Sequence, residues 1–566
     1  SPRKYRFQED RDMNSELASG PEERLSVLRD VLFSSQSDRH PKCLKELDGF
    51  DERAIPIWRE LLSHSRTAIR LHAVERLGRF GGSAQVALPE LVYLLASKEV
   101  TLRRAAKAAL ENVEPNWSQS SLALPACETL VQDLSKPGLD SHLAVPILAS
   151  FGEAAVPILI EGLGDFDQDL KQMFCAKTLG EVGPAAASAA PTLMEAFSRG
   201  ATHVRLESVI AFRKIHLDAP PIVNALAKSI TEERDVDLEV RLEVVKTLAT
   251  VMDGTAASRI IVWQLVDNRD EVVNTASDCL VQIGSPAVPV LRDLLVVCDV
   301  LHENQLERVR NLLRQWGILS TRVYENESNR RSQQGFASKM VLIEDAYESK
   351  TTVVVEAIWK LAKRSAVQIL ARMGPVAHEA LPDLISLNDT DDALTRVAVA
   401  EALGTIAPDD SRVLGRLDPL LDEKTQSIRE AAIGALKNCA PFLQHLPEFQ
   451  AMLSPMIEGL DSSRGESLER HLSDFGPSIL NELLNEAREQ GLYSPKRVIR
   501  ERSSRILGAI GTRLSANDGD PAMIESIKQA LLRVIESDQN GFVQNAAQES
   551  LDKIKAAVGS QDKSDL

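Results

Sequence analysis

The segment TRVAVAEALGTIA (395–407) decides how the chain reads. Its apolar and alanine positions recur at three- and four-residue steps, so a helix over it buries a single stripe. Take Leu403 as an anchor: Arg396 stands seven residues before it. Around Leu77, in IRLHAVERLGRFG, the same frame adds a glycine four residues on, with Arg70 before and Gly81 after.

The frame recurs fourteen times along the chain. Its anchors are Leu77, Leu110, Leu148, Leu179, Phe212, Leu248, Leu280, Leu313, Leu370, Leu403, Leu436, Leu472, Leu507 and Leu551. Successive intervals run from 31 to 38 residues as far as Leu313, and from 33 to 44 after Leu370. Each period reads as two helices. Glycines at 81, 183, 284 and 374 suit a left-handed helix C-terminus. Prolines at 89, 157, 191, 289 and 382 then open the first helix of the next unit, where the first-turn N–H groups have no intrahelical acceptor.

The pattern V-R-x-x-A-x-x-A-L-G, clearest in TRVAVAEALG (395–404) and IREAAIGAL (428–436), resembles the HEAT-repeat family, in particular its short bacterial, phycobilisome-lyase-type repeats. The resemblance covers roughly residues 50 to 558. It implies an all-α fold, an α–α superhelix of about fourteen helix pairs, right-handed and with second helices on its concave side. Helix packing distances of ~8–10 Å would give a contour on the order of 120–140 Å. It also implies that the arginines seven before the anchors (Arg70, Arg103, Arg205, Arg241, Arg396, Arg429 and Arg500) form a structural ladder. Their expected acceptors are turn carbonyls and acids such as Asp235, Asp391 and Glu423. Such repeats serve scaffolds, transport adaptors and a few enzymes, so the fold alone does not name a function.

Composition agrees with stacked helices. Aromatic residues are only 4% of 566, whereas apolar residues reach 44%. The net charge of −17 repels a phosphate backbone on average, which disfavours nucleic acid and the DNA-binding members of the repeat class. The six cysteines are scattered and form no C-x-x-C, so they read as small buried hydrophobes. No run of 18 apolar residues exists, and nothing spans a membrane as a helix. The chain opens SPRKYRFQEDRD without methionine, which reads as a processed or truncated N-terminus. That leaves the compartment, cytoplasmic or exported to the periplasm, and any peripheral or lipid-anchored membrane association open.

The expected organisation is an N-terminal segment with a degenerate helical cap (1–50), a first repeat block (51–317) and a polar insertion with re-entry (318–350). A second block (351–558) and a disordered tail (559–566) follow. The spacing between Leu313 and Leu370 is 57 residues where 33 are expected. The surplus falls in STRVYENESNRRSQQGFASK (320–339). Tyr324, Arg330, Arg331 and Phe336 there would form a partner-binding loop, if the segment is more than a disordered insert.

Three local constellations invite chemistry and fall short of it. His378-Glu379, in GPVAHEALP, aligns with GPAAASAAP (183–191) and GGSAQVALP (81–89), a connection that accepts almost any residue. His302-Glu303 reads as the start of a second helix. The two pairs are not equivalent, so the paired His-Glu diiron centre of deoxyhypusine hydroxylase has no counterpart. Asp165, Asp167 and Asp169 have calcium-loop spacing, but Leu170 and Ala176 stand where an EF-hand needs glycine and glutamate. Asp167 reads instead as a helix N-cap. The basic run SPKRVIRERSSR (494–505) spreads around its helix with no aromatic interleaved, as a solvated face would. No nucleophile elbow, phosphate loop, dinucleotide fingerprint or zinc-protease motif is present.

The sequence therefore points to a non-enzymatic protein-interaction scaffold with no cofactor and no metal. Its acidity favours a partner with a basic segment. A phycobilin-lyase-like, chromophore-handling protein is the alternative.

Overall fold

The computed structural model describes residues 20–34, 40–136, 139–231, 237–267, 269–302, 352–387, 392–517 and 519–561. Among them there is no β-strand, only an isolated bridge between Ser97 and Leu139. The chain divides into two compact units, Ser1–Met252 and Asp253–Leu566.

The first unit opens with α1 (Pro21–Phe33) and α2 (His40–Leu47), then continues in pairs. These are α3 (Ile55–Leu61) with α4 (Thr67–Phe80), α5 (Leu88–Leu94) with α6 (Val100–Val113), and α7 (Pro125–Asp133) with α8 (Ser141–Ala149). Next come α9 (Val156–Leu163) with α10 (Asp169–Val182), α11 (Ala190–Arg199) with α12 (Thr202–Ile215), and α13 (Pro220–Thr231) with α14 (Leu238–Val251).

The second unit begins with α15 (Gly254–Ile261) and α16 (Asp270–Ile283), followed by α17 (Val288–His302) and α18 (Thr352–Met373). It continues with α19 (Leu381–Ser386) and α20 (Ala393–Ile406), then α21 (Arg412–Leu421) and α22 (Gln426–Leu443). The last members are α23 (Pro447–Glu458) with α24 (Gly465–Asp474), α25 (Leu480–Leu483) with α26 (Arg497–Ala516), and α27 (Pro521–Ser537) with α28 (Gly541–Gln561). The fold is all-α, built of stacked helix pairs within each unit.

Every described anchor is buried, from Leu77 to Leu551, with Phe212 filling the same place as the leucines. The A-L-G motif has a steric cause. The glycine one residue after the anchor lies against the small residue one before the next anchor. A Cβ on Gly78 would sit 3.0 Å from the Ala109 backbone, on Gly180 3.1 Å from that of Ala211, and on Gly404 2.5 Å from that of Ala435. Small residues at these two places let neighbouring second helices approach almost backbone to backbone.

The turn glycines need one correction. Their φ is positive, but Gly81 has ψ −138°, Gly183 ψ −145° and Gly284 ψ −134°, which is not the left-handed helical region. The chain swings directly from the second helix into a short 3₁₀ turn, such as Gly183–Ala189, and that reversal needs a backbone region open essentially to glycine alone. His216 occupies the same frame position with φ 60° and ψ 50°, a true left-handed cap, and there no 3₁₀ turn follows directly. The five prolines stand at the second residue of α5, α9, α11, α17 and α19.

Two ion pairs join helices on either side of the interruption. Arg372 on α18 reaches Asp278 on α16 at 2.7 Å although they are 94 residues apart in sequence. Arg292 on α17 reaches Asp383 on α19 at 2.5 Å across 91 residues. So α18 packs as the second helix belonging to α17, directly beside α16. The frame at Leu313, like Tyr324, Arg330, Arg331 and Phe336, lies outside the described residues. Thirteen second helices are present among the described residues. His302 belongs to the helix that starts at Val288, so it does not begin a new one.

Candidate partner-binding surface

Where the residue seven before an anchor is Arg70, Arg103, Arg396, Arg429 or Arg500, it holds the turn leading from first to second helix. Its side chain does one or both of two things. It ties back to carbonyls of its own turn, as Arg103 does to Ser97 (2.7 Å) and Lys98 (3.1 Å), and Arg429 to Glu423 (2.5 Å) and Lys424 (2.8 Å). It also reaches a carboxylate in the next turn, as Arg70 does to Glu99 (2.6 Å) and Arg396 to Glu423 (2.5 Å). Arg500 does both, with Ser494 and Pro495 on one side and Asp538 at 2.6 Å on the other.

Glu423 is a joint: its carboxylate takes Arg396 and its carbonyl takes Arg429. Where the frame has glutamine, the amide takes over the tie-back, Gln172 to Leu163 and Gln544 to Asp538, both at 2.7 Å. Arg241 is buried and donates to the Ile230 carbonyl at 3.3 Å, while Arg205 lies 5.6 Å from the Phe197 ring centroid. Asp235 and Asp391 fall outside the described residues.

Charged side chains also bridge successive second helices. In the first unit Lys214 on α12 meets Glu181 on α10 at 2.7 Å, and Arg213 on α12 meets Glu243 on α14 at 2.6 Å. Glu207 on α12 stands 3.9 Å from Lys177, and burial pushes its carboxyl above the ordinary range despite the nearby lysines. In the second unit Asp474 on α24 faces Arg513 on α26 at 3.0 Å and Lys437 on α22 at 3.9 Å.

A feature missed in the sequence lies nine residues before the anchors. In the second unit this position holds Leu361, Leu394, Val498 and Phe542, on α18, α20, α26 and α28. Leu394 is 56% exposed and Phe542 64%. In the first unit Leu170 on α10 is exposed at the same offset. The frame could have revealed it, since the offset is constant. It passed unnoticed because each residue is adjacent to a run that reads as ordinary helix.

At α22 and just before α24 the same position is serine, Ser427 and Ser463, and there the surface is cleft. The cleft, of about 220 Å³, is lined by Leu421, Ile433, Met456 and Leu468 together with Gln426, Arg429, Glu430, Ser463, Arg464 and Ser467.

The basic run on α26 is mostly spoken for. Lys496 pairs with Asp461 at 3.3 Å, Arg505 with Glu501 at 2.6 Å, and Arg502 approaches Glu469 at 3.8 Å. Arg497 lies over the Phe542 ring, 5.1 Å from its centroid. An aromatic partner therefore exists, supplied by the following second helix and invisible in the local sequence.

The remaining sequence candidates are placed as follows. His378 and Glu379 are exposed in the 3₁₀ turn Gly374–Ala380. Asp167 is not a cap: α10 starts at Asp169, its N-cap is Gln168, and no side chain accepts there. Asp165 instead accepts from Gln168 and Lys171. No group of three or more metal-binding side chains occurs among the described residues. Five cysteines are buried, and burial drives the thiols of Cys127, Cys175 and Cys439 up to about 12, far from a nucleophile's range.

Residues 359–437, spanning most of α18 through α22, match the family model for HEAT repeats. Among solved structures, the chain is similar to the karyopherin Kap121p in its crystal structure bound to the SUMO protease Ulp1p, with a TM-score of 0.49 and 14% identity over 92% of this chain and 54% of that one. It is also similar to the Kap95:Nup1 complex, with a TM-score of 0.41 and 12% identity over 96% of this chain and 73% of that one. The chain spans about half the length of Kap121p. No curated protein matched it by sequence.

Proposed function

We propose that the chain is a non-enzymatic protein-interaction scaffold of the HEAT-repeat type that holds its partner along the second-helix side. The observation that carries this reading is the exposure of Leu361, Leu394 and Phe542 at one register position of three second helices of the second unit. Isolated exposed leucines are ordinary; three apolar residues exposed at one fixed offset support a binding surface there. The HEAT-repeat match over 359–437 supports it, since such stacks present many small contacts rather than one reaction centre.

The charge of −17 adds long-range attraction for a basic partner, raising the association rate more than the affinity. It weighs against nucleic acid as the partner. No helix among the described residues is long and apolar enough to cross a membrane. The phycobilin-lyase-like alternative gains no support from the side chains described above.

The test is site-specific photo-cross-linking in the native host. A benzophenone side chain at Leu394 or Phe542 should yield discrete protein adducts, whereas one at Glu448, exposed on the first helix α23, should yield few. Equal labelling from both sides would refute the assignment of the surface.

A further inference from the structure

We draw no further inference here: the strongest candidate, the apolar surface patch of Leu170, Met173, Leu206, Ile210 and Leu242 across α10, α12 and α14 of the first unit, carries nothing because nothing in the structure shows what covers it.

Discussion

Gly404→Leu should lower the stability of the second unit by about 3 kcal/mol or more, read as a shifted denaturant midpoint by far-UV circular dichroism. A Cβ at this position would lie 2.5 Å from the Ala435 Cα and 2.9 Å from its carbonyl oxygen. Both obstacles are backbone, so no rotamer change relieves them, and α20 and α22 must separate. In a stack whose units contact mainly their neighbours, prising one interface apart also uncouples the helices beyond it. Gly415→Leu is the control. It lies on α21 with nothing within 4 Å of the added carbon, and leucine is the better helix former. It should be neutral or slightly stabilising. If both variants melt alike, close approach is not what the motif's glycine provides.

Arg500→Ala should cost about 2–3 kcal/mol at neutral pH, the second-largest effect expected of a single substitution. The side chain donates twice to Asp538 and once each to the carbonyls of Ser494 and Pro495, and it is largely shielded from solvent. Its loss strands a carboxylate that is only 8% exposed. In the intact protein, burial opposes ionisation of Asp538, but the bonds from Arg500, the Asn540 N–H and the arginine's charge outweigh it and hold the carboxyl below its ordinary value. A lowered folded-state value means stability that is fully present above the unfolded-state value. It is lost as pH falls through the lowered one. The difference between wild type and variant should therefore be greatest at neutral pH and shrink in acid. Urea titrations at both ends of that range measure it, and a gap that widens in acid would contradict the pairing.

Much of the architecture was legible because the A-L-G frame reflects a steric requirement. Leu403 must be buried, and Gly404 must be small where Ala435 approaches. Both demands leave a mark on each repeat. Turn geometry was half legible: the frame flagged Gly183 as a special backbone position, but its ψ depends on the 3₁₀ turn that follows, which has no strong composition of its own. Which helices meet across the interruption was not legible, because contacts such as Arg372 with Asp278 join residues 94 apart in sequence. The surface at Leu394 and Phe542 was hidden for a related reason. Periodicity finds the stripe a helix buries, and a residue left outside that stripe has no periodic signature until helices are aligned on their anchors. The Arg497–Phe542 stack joins two repeats and cannot be read within either.

The central claim is that, within each unit, each second helix lies beside the next in one register, as α16 does beside α18. Nitroxide labels at Asp278→Cys and Arg372→Cys, with single labels as controls, test it by the dipolar broadening of their continuous-wave EPR spectrum. Neighbouring helices ~8–10 Å apart predict strong broadening. A spectrum equal to the sum of the two single labels, as an additional helix pair between them would give, would contradict the account.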